Sequence, residues 1–120
     1  MFILDKFFQT EPEHSAKACG SGSLEVLSTP CLIAFMENTA FDYCQRQLSK
    51  EKTTVGTFIQ VEHLAATRIG KTIHIVITHV IENGRQFEFT IEAYDGSILI
   101  GRGTHTRAVV NIERFLNKLT

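Results

Sequence analysis

Residues 28 to about 48 read STPCLIAFMENTAFDYCQRQL, and this stretch decides the fold. We predict one buried helix here, because apolar side chains cover most of the circumference at helical spacing. Thr29 is a candidate for the N-terminal cap, and Pro30 suits the first helical position, where its missing N–H costs nothing. Glu37 falls on an apolar stripe, in register with Ala40. A carboxylate there must be paired, hydrogen-bonded or protonated, so Glu37 is the first candidate for chemistry.

Length and composition limit the class of protein. A chain of 120 residues is expected to form a single domain over residues 1–120 with one core. Apolar residues make up 43% and charged residues 21%, which is ordinary for a soluble globular protein. The net charge of −1, without a basic run, gives no footprint for nucleic acid. The longest apolar run is too short to span a bilayer, so no membrane partner is expected.

The cysteines and the first residues bear on the compartment. Cys19, Cys31 and Cys44 are odd in number and show no C-x-x-C spacing. This favours reduced thiols in the cytoplasm over a disulfide framework or a zinc site. The first residues, MFILDKFFQ, are apolar but lack the charged region and the cleavage signature of a signal peptide. No group of histidines, cysteines and carboxylates has metal-ligand spacing, so no metal is expected.

A change of hydrophobic period marks the start of a sheet after the helix. Over residues 54–69 the alternation places Ile59, Val61 and His63 on one face and Phe58 on the other. Three further runs alternate in the same way, over residues 73–81, 87–93 and 98 to about 110. The first of these runs is predicted to bury isoleucines at 73, 75, 77 and 81 on one face.

Turn signals connect these runs. A turn at Gly70, a type I′ hairpin turn at Asn83-Gly84 and a tight turn at Asp95-Gly96 predict a four-strand antiparallel meander. Asn111 is predicted to cap a short final helix. Before the central helix, residues 13–19 are predicted as a possible short strand. Residues 1–10 suit either a strand or a hydrophobic arm, and the sequence does not decide between them.

The order of a long helix followed by a sheet predicts an α+β domain. A helix that is apolar on most sides needs a sheet that curves around it, because a flat sheet covers only one stripe. A long central helix wrapped by a curved antiparallel β-sheet is the arrangement of the hot-dog fold. We therefore predict the hot-dog fold for the whole chain.

Three stretches resemble the small hot-dog thioesterases of the fluoroacetyl-CoA thioesterase type. They are STPCLIAFMENTA in the helix, TVGTFIQVEHLAAT followed by a glycine in the first long strand, and IGRGTHTRAVV in the last strand. Together they give Thr-x7-Glu on the helix, Gly-x6-His on the strand and G-x-H-x-R near the end. With the spacing between them, the resemblance covers roughly residues 28–115.

The resemblance implies an enzyme and its site residues. It implies catalytic roles for Thr29, Glu37 and His63, with the backbone N–H of Gly56 near the thioester carbonyl. Arg107 is implied to make a contact on the substrate side or the interface side. The implied reaction is hydrolysis of a small acyl-CoA thioester without metal or prosthetic group. The implied assembly is a homodimer, possibly paired into a tetramer, with sites near the subunit interface.

One segment departs from the resemblance. Residues 20–27 are short, rich in glycine and serine, and contain no aromatic side chain. A fluoroacetyl-specific enzyme is expected to have a bulkier lid there. A preference for fluoroacetate is therefore not implied, and the acyl group stays open.

Glu37 and His63 are the central candidates, because two independent periodicities direct both of them toward the core. A sheet that curls around the helix is expected to bring them together, and a structural buried ion pair is the alternative interpretation. Thr29 combines ordinary capping with a place at the positive end of the helix dipole. His79 and His105 are interpreted as structural.

Three functions stay open from the sequence. In the first, a thioesterase, Glu37 acts as general base or as nucleophile and His63 acts as its acid/base partner. In the second, a hot-dog enoyl-CoA hydratase or dehydratase, the acidic residue and the histidine are expected at other spacings. In the third, a non-catalytic acyl-CoA-binding module, an intact set of Thr29, Glu37 and His63 is not expected.

Overall fold

A computed structural model describes residues 2–120 and shows a long helix packed against a five-stranded antiparallel sheet. The strands are β1 (Leu4–Gln9), β2 (Lys52–His63), β3 (Thr72–Asn83), β4 (Gln86–Asp95) and β5 (Ile98–Asn111). The helices are a 3-10 turn (Pro12–His14), α1 (Ala16–Cys19), α2 (Thr29–Gln45) and α3 (Ile112–Asn117). The short strand predicted over residues 13–19 is therefore wrong, because that segment is helical.

The start of α2 differs from the prediction by one residue. Ser28 is the N-cap, and its side chain accepts a hydrogen bond of 3.2 Å from the backbone N–H of Cys31. Thr29 is the first helical residue, so the expectation that it caps the helix is wrong. Because the side chain of Ser28 accepts a hydrogen bond from a backbone N–H of the first turn, the hydroxyl of Thr29 is available for another partner.

The end of α2 is tied to the start of the sheet. The helix ends at Gln45, earlier than residue 48. The side chain of Gln45 accepts from Thr53 Oγ1 at 2.8 Å and donates to the carbonyl of Lys52 at 3.0 Å. These bonds fix the direction in which β2 leaves the helix.

The strand order is β1-β3-β4-β5-β2. The predicted meander is correct for β3, β4 and β5, but it is wrong for β2, which pairs with β5 and not with β3. The long strand predicted over residues 54–69 ends at His63, and the following connection crosses to the other side of the sheet. Residues 4–9, whose role the sequence left open, form the edge strand β1 against β3. The other edge of the sheet is β2.

The buried faces follow the predicted alternation except at one irregularity. The isoleucines at 73, 75 and 77 and the apolar side chains at 87, 89, 91 and 93 are buried as predicted. Ile81 is 60% exposed, against the prediction. The pairing register of β3 shifts between Ile77 and His79, and such a shift moves the following side chains to the other face of the sheet.

All five strands contact α2, so the sheet wraps the helix as the hot-dog prediction requires. Leu32, Met36, Ala40 and Cys44 on α2 are fully buried. A Cβ atom on Gly101 would lie 2.9 Å from a methyl group of Leu32, so this glycine allows β5 to approach the helix closely. The α+β architecture is confirmed.

The turns and the final helix also follow from local chemistry. Asn83 pairs with Gln86, so the central residues of the turn are Gly84, with a φ of +65°, and Arg85, which does not have a positive φ. This is the pattern of a type II′ turn, so the predicted type I′ geometry is wrong although the hairpin is correct. Asn111 caps α3, as predicted, by accepting from the N–H of Arg114 at 3.0 Å. Within residues 2–120, no helix has the length and apolar character that a membrane span requires.

Candidate active site

The first pair of candidate residues joins the start of α2 to the end of β2. Thr29 Oγ1 and His63 Nδ1 are 2.8 Å apart. The hydroxyl of Thr29 is available for this contact because Ser28 caps the helix. His63 is the last residue of β2, and its side chain lies on the inner face of the sheet. Burial lowers the pKa of His63, and a backbone contact at Ala65 partly offsets this effect. The imidazole is therefore held neutral at neutral pH.

The second ring nitrogen of His63 has a different environment. Nε2 is buried, and within residues 2–120 it has no hydrogen-bond partner. A buried polar atom without a partner costs about 1–3 kcal/mol, so it points to a functional use. A cavity of about 330 Å³ lies beside Thr29 and His63. A substrate atom that enters this cavity can reach the imidazole.

A second group of residues surrounds Gly56 in the middle of β2. A Cβ atom on Gly56 would lie 3.2 Å from Glu37 Oε2, 3.1 Å from His105 Cε1 and 3.6 Å from Arg107 Nη1. The missing side chain therefore lets the strand backbone approach the carboxylate. The register of β2 also shifts between Gly56 and Phe58, and such bulges re-aim the backbone beside functional sites.

His105 is held in one protonation state by its two partners. Its Nδ1 lies 2.7 Å from the carbonyl oxygen of Phe58, which can only accept, so Nδ1 carries the proton. Its Nε2 lies 3.1 Å from Arg107 Nη1, which can only donate, so Nε2 is the acceptor. Burial lowers the pKa of His105 most, and the charge of Arg107 acts in the same direction. The Phe58 carbonyl and the charge of Glu37 act in the opposite direction.

Arg107 is buried, and its guanidinium is held on three sides. Its Nε donates to Thr54 Oγ1 at 2.8 Å, and its Nη2 donates to the Thr54 carbonyl at 3.0 Å. The guanidinium also lies over the ring of Phe41, 5.7 Å from its centroid. A buried cation held in this way supplies a fixed positive field to Glu37 and Gly56.

The structure assembles the predicted residues into two groups, not one. Thr29 lies with His63, whereas Glu37 lies with Gly56 and Arg107. The expected contact between Glu37 and His63 is wrong within one chain, because Nδ1 of His63 faces Thr29 and Nε2 has no partner among residues 2–120. Thr29 and Glu37 are eight residues apart on α2, and at 1.5 Å per residue this is about 12 Å along the axis.

Sequence reasoning missed the place of His105. The sequence predicts a structural role, and His105 does orient Arg107, but it also lies next to the point where Glu37 approaches Gly56. The signal was present in the G-x-H-x-R motif, because residues two apart on a strand share one face. His105 and Arg107 therefore had to lie on the same side of β5.

Other reactive groups lie outside these two clusters. Burial raises the pKa of the Cys44 thiol to about 11, so it is protonated at neutral pH. Over the described part of the chain, no three His, Cys, Asp or Glu side chains are grouped so that they could hold a metal ion.

The lowered pKa of His105 predicts acid sensitivity. Because the pKa is lower in the folded state, the folded protein binds fewer protons than the unfolded chain as the pH falls below about 6.5. The contribution of neutral His105 to the free energy of unfolding is therefore fully present above that pH. It is lost as the pH falls from there through the lowered pKa. We expect His105→Asn to weaken this loss, measured as the free energy of unfolding in denaturant between pH 7.5 and 5. Parallel pH profiles for the parent and the variant would contradict this role.

Comparison with known proteins identifies relatives of this chain. A family model described as fluoroacetyl-CoA-specific thioesterase matches residues 10–113. The fluoroacetyl-CoA thioesterase of Streptantibioticus cattleyicolor is 34% identical over 95 residues, which cover 79% of this chain and 68% of that protein. The range matched by the family model includes the residues of the two groups described above.

Solved structures agree with the fold. A mutant of the fluoroacetyl-CoA-specific thioesterase in complex with fluoroacetate and CoA superposes with a TM-score of 0.90 at 28% identity, covering 97% of this chain and 95% of that chain. A thioesterase superfamily member from Thermus thermophilus has a TM-score of 0.84 at 20% identity, covering 95% and 87%. At that identity the second likeness shows the fold alone. The chain belongs to the fluoroacetyl-CoA-specific thioesterase family and has a hot-dog fold.

Proposed function

We propose that this chain hydrolyses a small acyl-CoA thioester to the free acid and coenzyme A, by means of Thr29, Glu37 and His63. The observation that supports this most is the approach of the Glu37 carboxylate to the backbone of Gly56. A carboxylate provides the base or nucleophile, and a neighbouring backbone N–H provides a donor for an oxyanion. Family membership supports the same reaction.

Glu37 begins the reaction in either of two ways. As a general base it takes a proton from water, and the hydroxide oxygen bonds to the thioester carbon. As a nucleophile its own oxygen bonds to that carbon, thiolate leaves, and water then hydrolyses the mixed anhydride. In both cases the C–S bond breaks and coenzyme A leaves as a thiolate that needs a proton.

The other groups stabilise charge and move protons. The carbonyl oxygen becomes negative during attack, and the N–H of Gly56 and the hydroxyl of Thr29 serve as its donors. Thr29 lies in the first turn of α2, where the helix dipole favours negative charge. His63 is neutral and has an unpaired Nε2, so it can take a proton from one group and give it to the leaving thiolate.

A homodimer explains why the site residues form two groups. The strand β2 is an edge of the sheet, and it exposes Phe58 by 53%. An edge strand of this kind is a template for pairing with another chain. If two copies pair β2 antiparallel about a two-fold axis near Ile59 and Gln60, His63 of one copy lies opposite Gly56 of the other. One active site then combines Thr29 and His63 with Glu37 of the partner subunit.

The compartment follows from the thiols. All three cysteines are free, and reduced cysteines suit the cytoplasm. We therefore assign the reaction to the cytoplasm. Fractionation of the native cells would test this, and recovery of the protein outside the cytoplasm would contradict it.

The dimer predicts a mass. With 13.5 kDa per chain, twice this value is 27 kDa. We expect sedimentation at micromolar concentration to give this mass or that of a tetramer. A sample that sediments only as the single chain would contradict pairing through β2.

The reaction predicts release of free thiol. Without added metal, the purified protein should release coenzyme A from at least one short or medium acyl-CoA, and a chelator should not change the rate. Glu37→Gln should keep the fold and lower kcat by on the order of 100-fold or more, because it removes the base or nucleophile. Thr29→Ala should lower turnover less, since it removes only a positioning hydroxyl.

The matched control is Glu62→Gln. Glu62 is also on β2, but it is exposed and pairs with Arg102 at 2.9 Å on the outer face. The Glu62→Gln substitution should leave kcat unchanged. A Glu37→Gln protein that melts at a lower temperature yet keeps its turnover would make the carboxylate structural. Conversion of an enoyl-CoA without thiol would indicate a hydratase, and binding without any turnover would indicate a binding module.

A further inference from the structure

The cavity beside Thr29 and His63 is bounded by two chain segments. Its volume is about 330 Å³. One wall comes from the segment before α2, through Ala16, Ser21 and Leu27, and the other comes from the connection after β2, through Ala65 and Ala66. Five of the ten residues that line the cavity are alanine or serine. Small side chains on both walls leave the space open.

Backbone hydrogen bonds hold the walls in place. The N–H of Ala16 donates to the carbonyl of Val26 at 2.8 Å, and the N–H of Leu27 donates to the carbonyl of Thr67 at 2.8 Å. The second bond links the two walls directly. The N–H of Ser28 also donates to the carbonyl of His14 at 2.9 Å. The cavity is therefore formed before a ligand enters it.

The lining has a chemistry that selects the ligand. Within residues 2–120, the side chains that line the cavity include no Lys, Arg, Asp or Glu. The phosphates of coenzyme A are highly charged and would lose their hydration there without a cationic partner. A carboxylate at the end of an acyl chain would be disfavoured for the same reason. The cavity therefore suits the uncharged end of the substrate.

The volume exceeds what a two-carbon acyl group fills. Pockets that bind drug-sized ligands begin at about 300 Å³, so a cavity of about 330 Å³ is large for an acyl group of two carbons. An acetyl or haloacetyl group has three or four heavy atoms and would leave most of this space to water. An apolar chain that reaches the alanines gains the free energy of leaving water.

We propose that this cavity is the acyl subsite and that it selects uncharged acyl chains of about four to eight carbons over two-carbon acyl groups. This rests on the proposed thioester hydrolysis, because Thr29 and His63 mark the reacting end of the cavity. The chain runs from the thioester carbon past His63 toward Ala66. No bond is made or broken beyond those of the hydrolysis itself.

The first test is a series of saturated acyl-CoA substrates with two, four, six and eight carbons. The value of kcat/KM should rise about fourfold for each methylene that leaves water, the equivalent of about 0.8 kcal/mol, until the cavity is full. Succinyl-CoA should react at least tenfold more slowly than butanoyl-CoA, which has the same chain length without the charge. A maximum at acetyl-CoA or fluoroacetyl-CoA, or equal rates for succinyl-CoA and butanoyl-CoA, would overturn the proposal.

The second test narrows the cavity. Ala66 is exposed and lines the cavity in the connection after β2. The Ala66→Leu protein should therefore fold, and the larger side chain should fill part of the cavity. It should lower the ratio of kcat/KM for hexanoyl-CoA over acetyl-CoA by on the order of tenfold. The matched control is Ala18→Leu, an exposed alanine of α1 outside the lining, which should leave the ratio unchanged. An unchanged ratio in both variants would contradict the assignment of the cavity.

A binding measurement separates this proposal from the reaction on which it rests. If no acyl-CoA yields thiol, the proposed hydrolysis fails, but calorimetry with acetyl-CoA and hexanoyl-CoA still tests the cavity. Hexanoyl-CoA should bind at least tenfold more tightly than acetyl-CoA to the Glu37→Gln protein, and Ala66→Leu should remove the difference. Equal affinities would overturn the acyl subsite whether or not the parent protein hydrolyses thioesters.

Discussion

The burial of α2 on most of its sides is the constraint on which the rest of the structure depends. A flat sheet would leave part of the helix in water, so all five strands curve around it. The strand β2 is an edge of this sheet, and it contacts the helix. As a result, His63 meets Thr29 at one end of α2, and Gly56 meets Glu37 two turns further along.

Polar groups in this apolar setting are held by specific partners. His105 donates to Phe58 and accepts from Arg107, and Arg107 is anchored on Thr54, so the positive charge beside Glu37 has little freedom to move. Fixed charges in a poorly solvated site act more strongly than they do in water, and they need no reorganisation during the reaction. Within residues 2–120, Nε2 of His63 is an exception because it has no hydrogen-bond partner, and it lies beside the cavity.

The sequence predicts those features that depend on local periodicity. The helix, the buried faces of β3 and β4, and the inward direction of His63 all follow from it. The place of β2 beside β5 does not, because pairing between distant strands leaves no local pattern. Ser28 and Thr29 are both residue types that cap helices, and the modest preference for Ser does not by itself fix where the first turn begins. The exposure of Ile81 depends on a bulge, which alternation alone does not reveal.

In the proposed dimer, Thr29 and His63 of one subunit would complete a site with Glu37 of the partner subunit. The most direct measurement mixes two inactive proteins, Glu37→Gln and His63→Ala, after reversible dissociation, and assays thiol release. A heterodimer contains one site with all three native residues, so random mixing should restore about a quarter of the parent activity. If each chain held its own complete site, every site in the mixture would lack one residue. A mixture that forms dimers yet remains as inactive as its components would contradict the account.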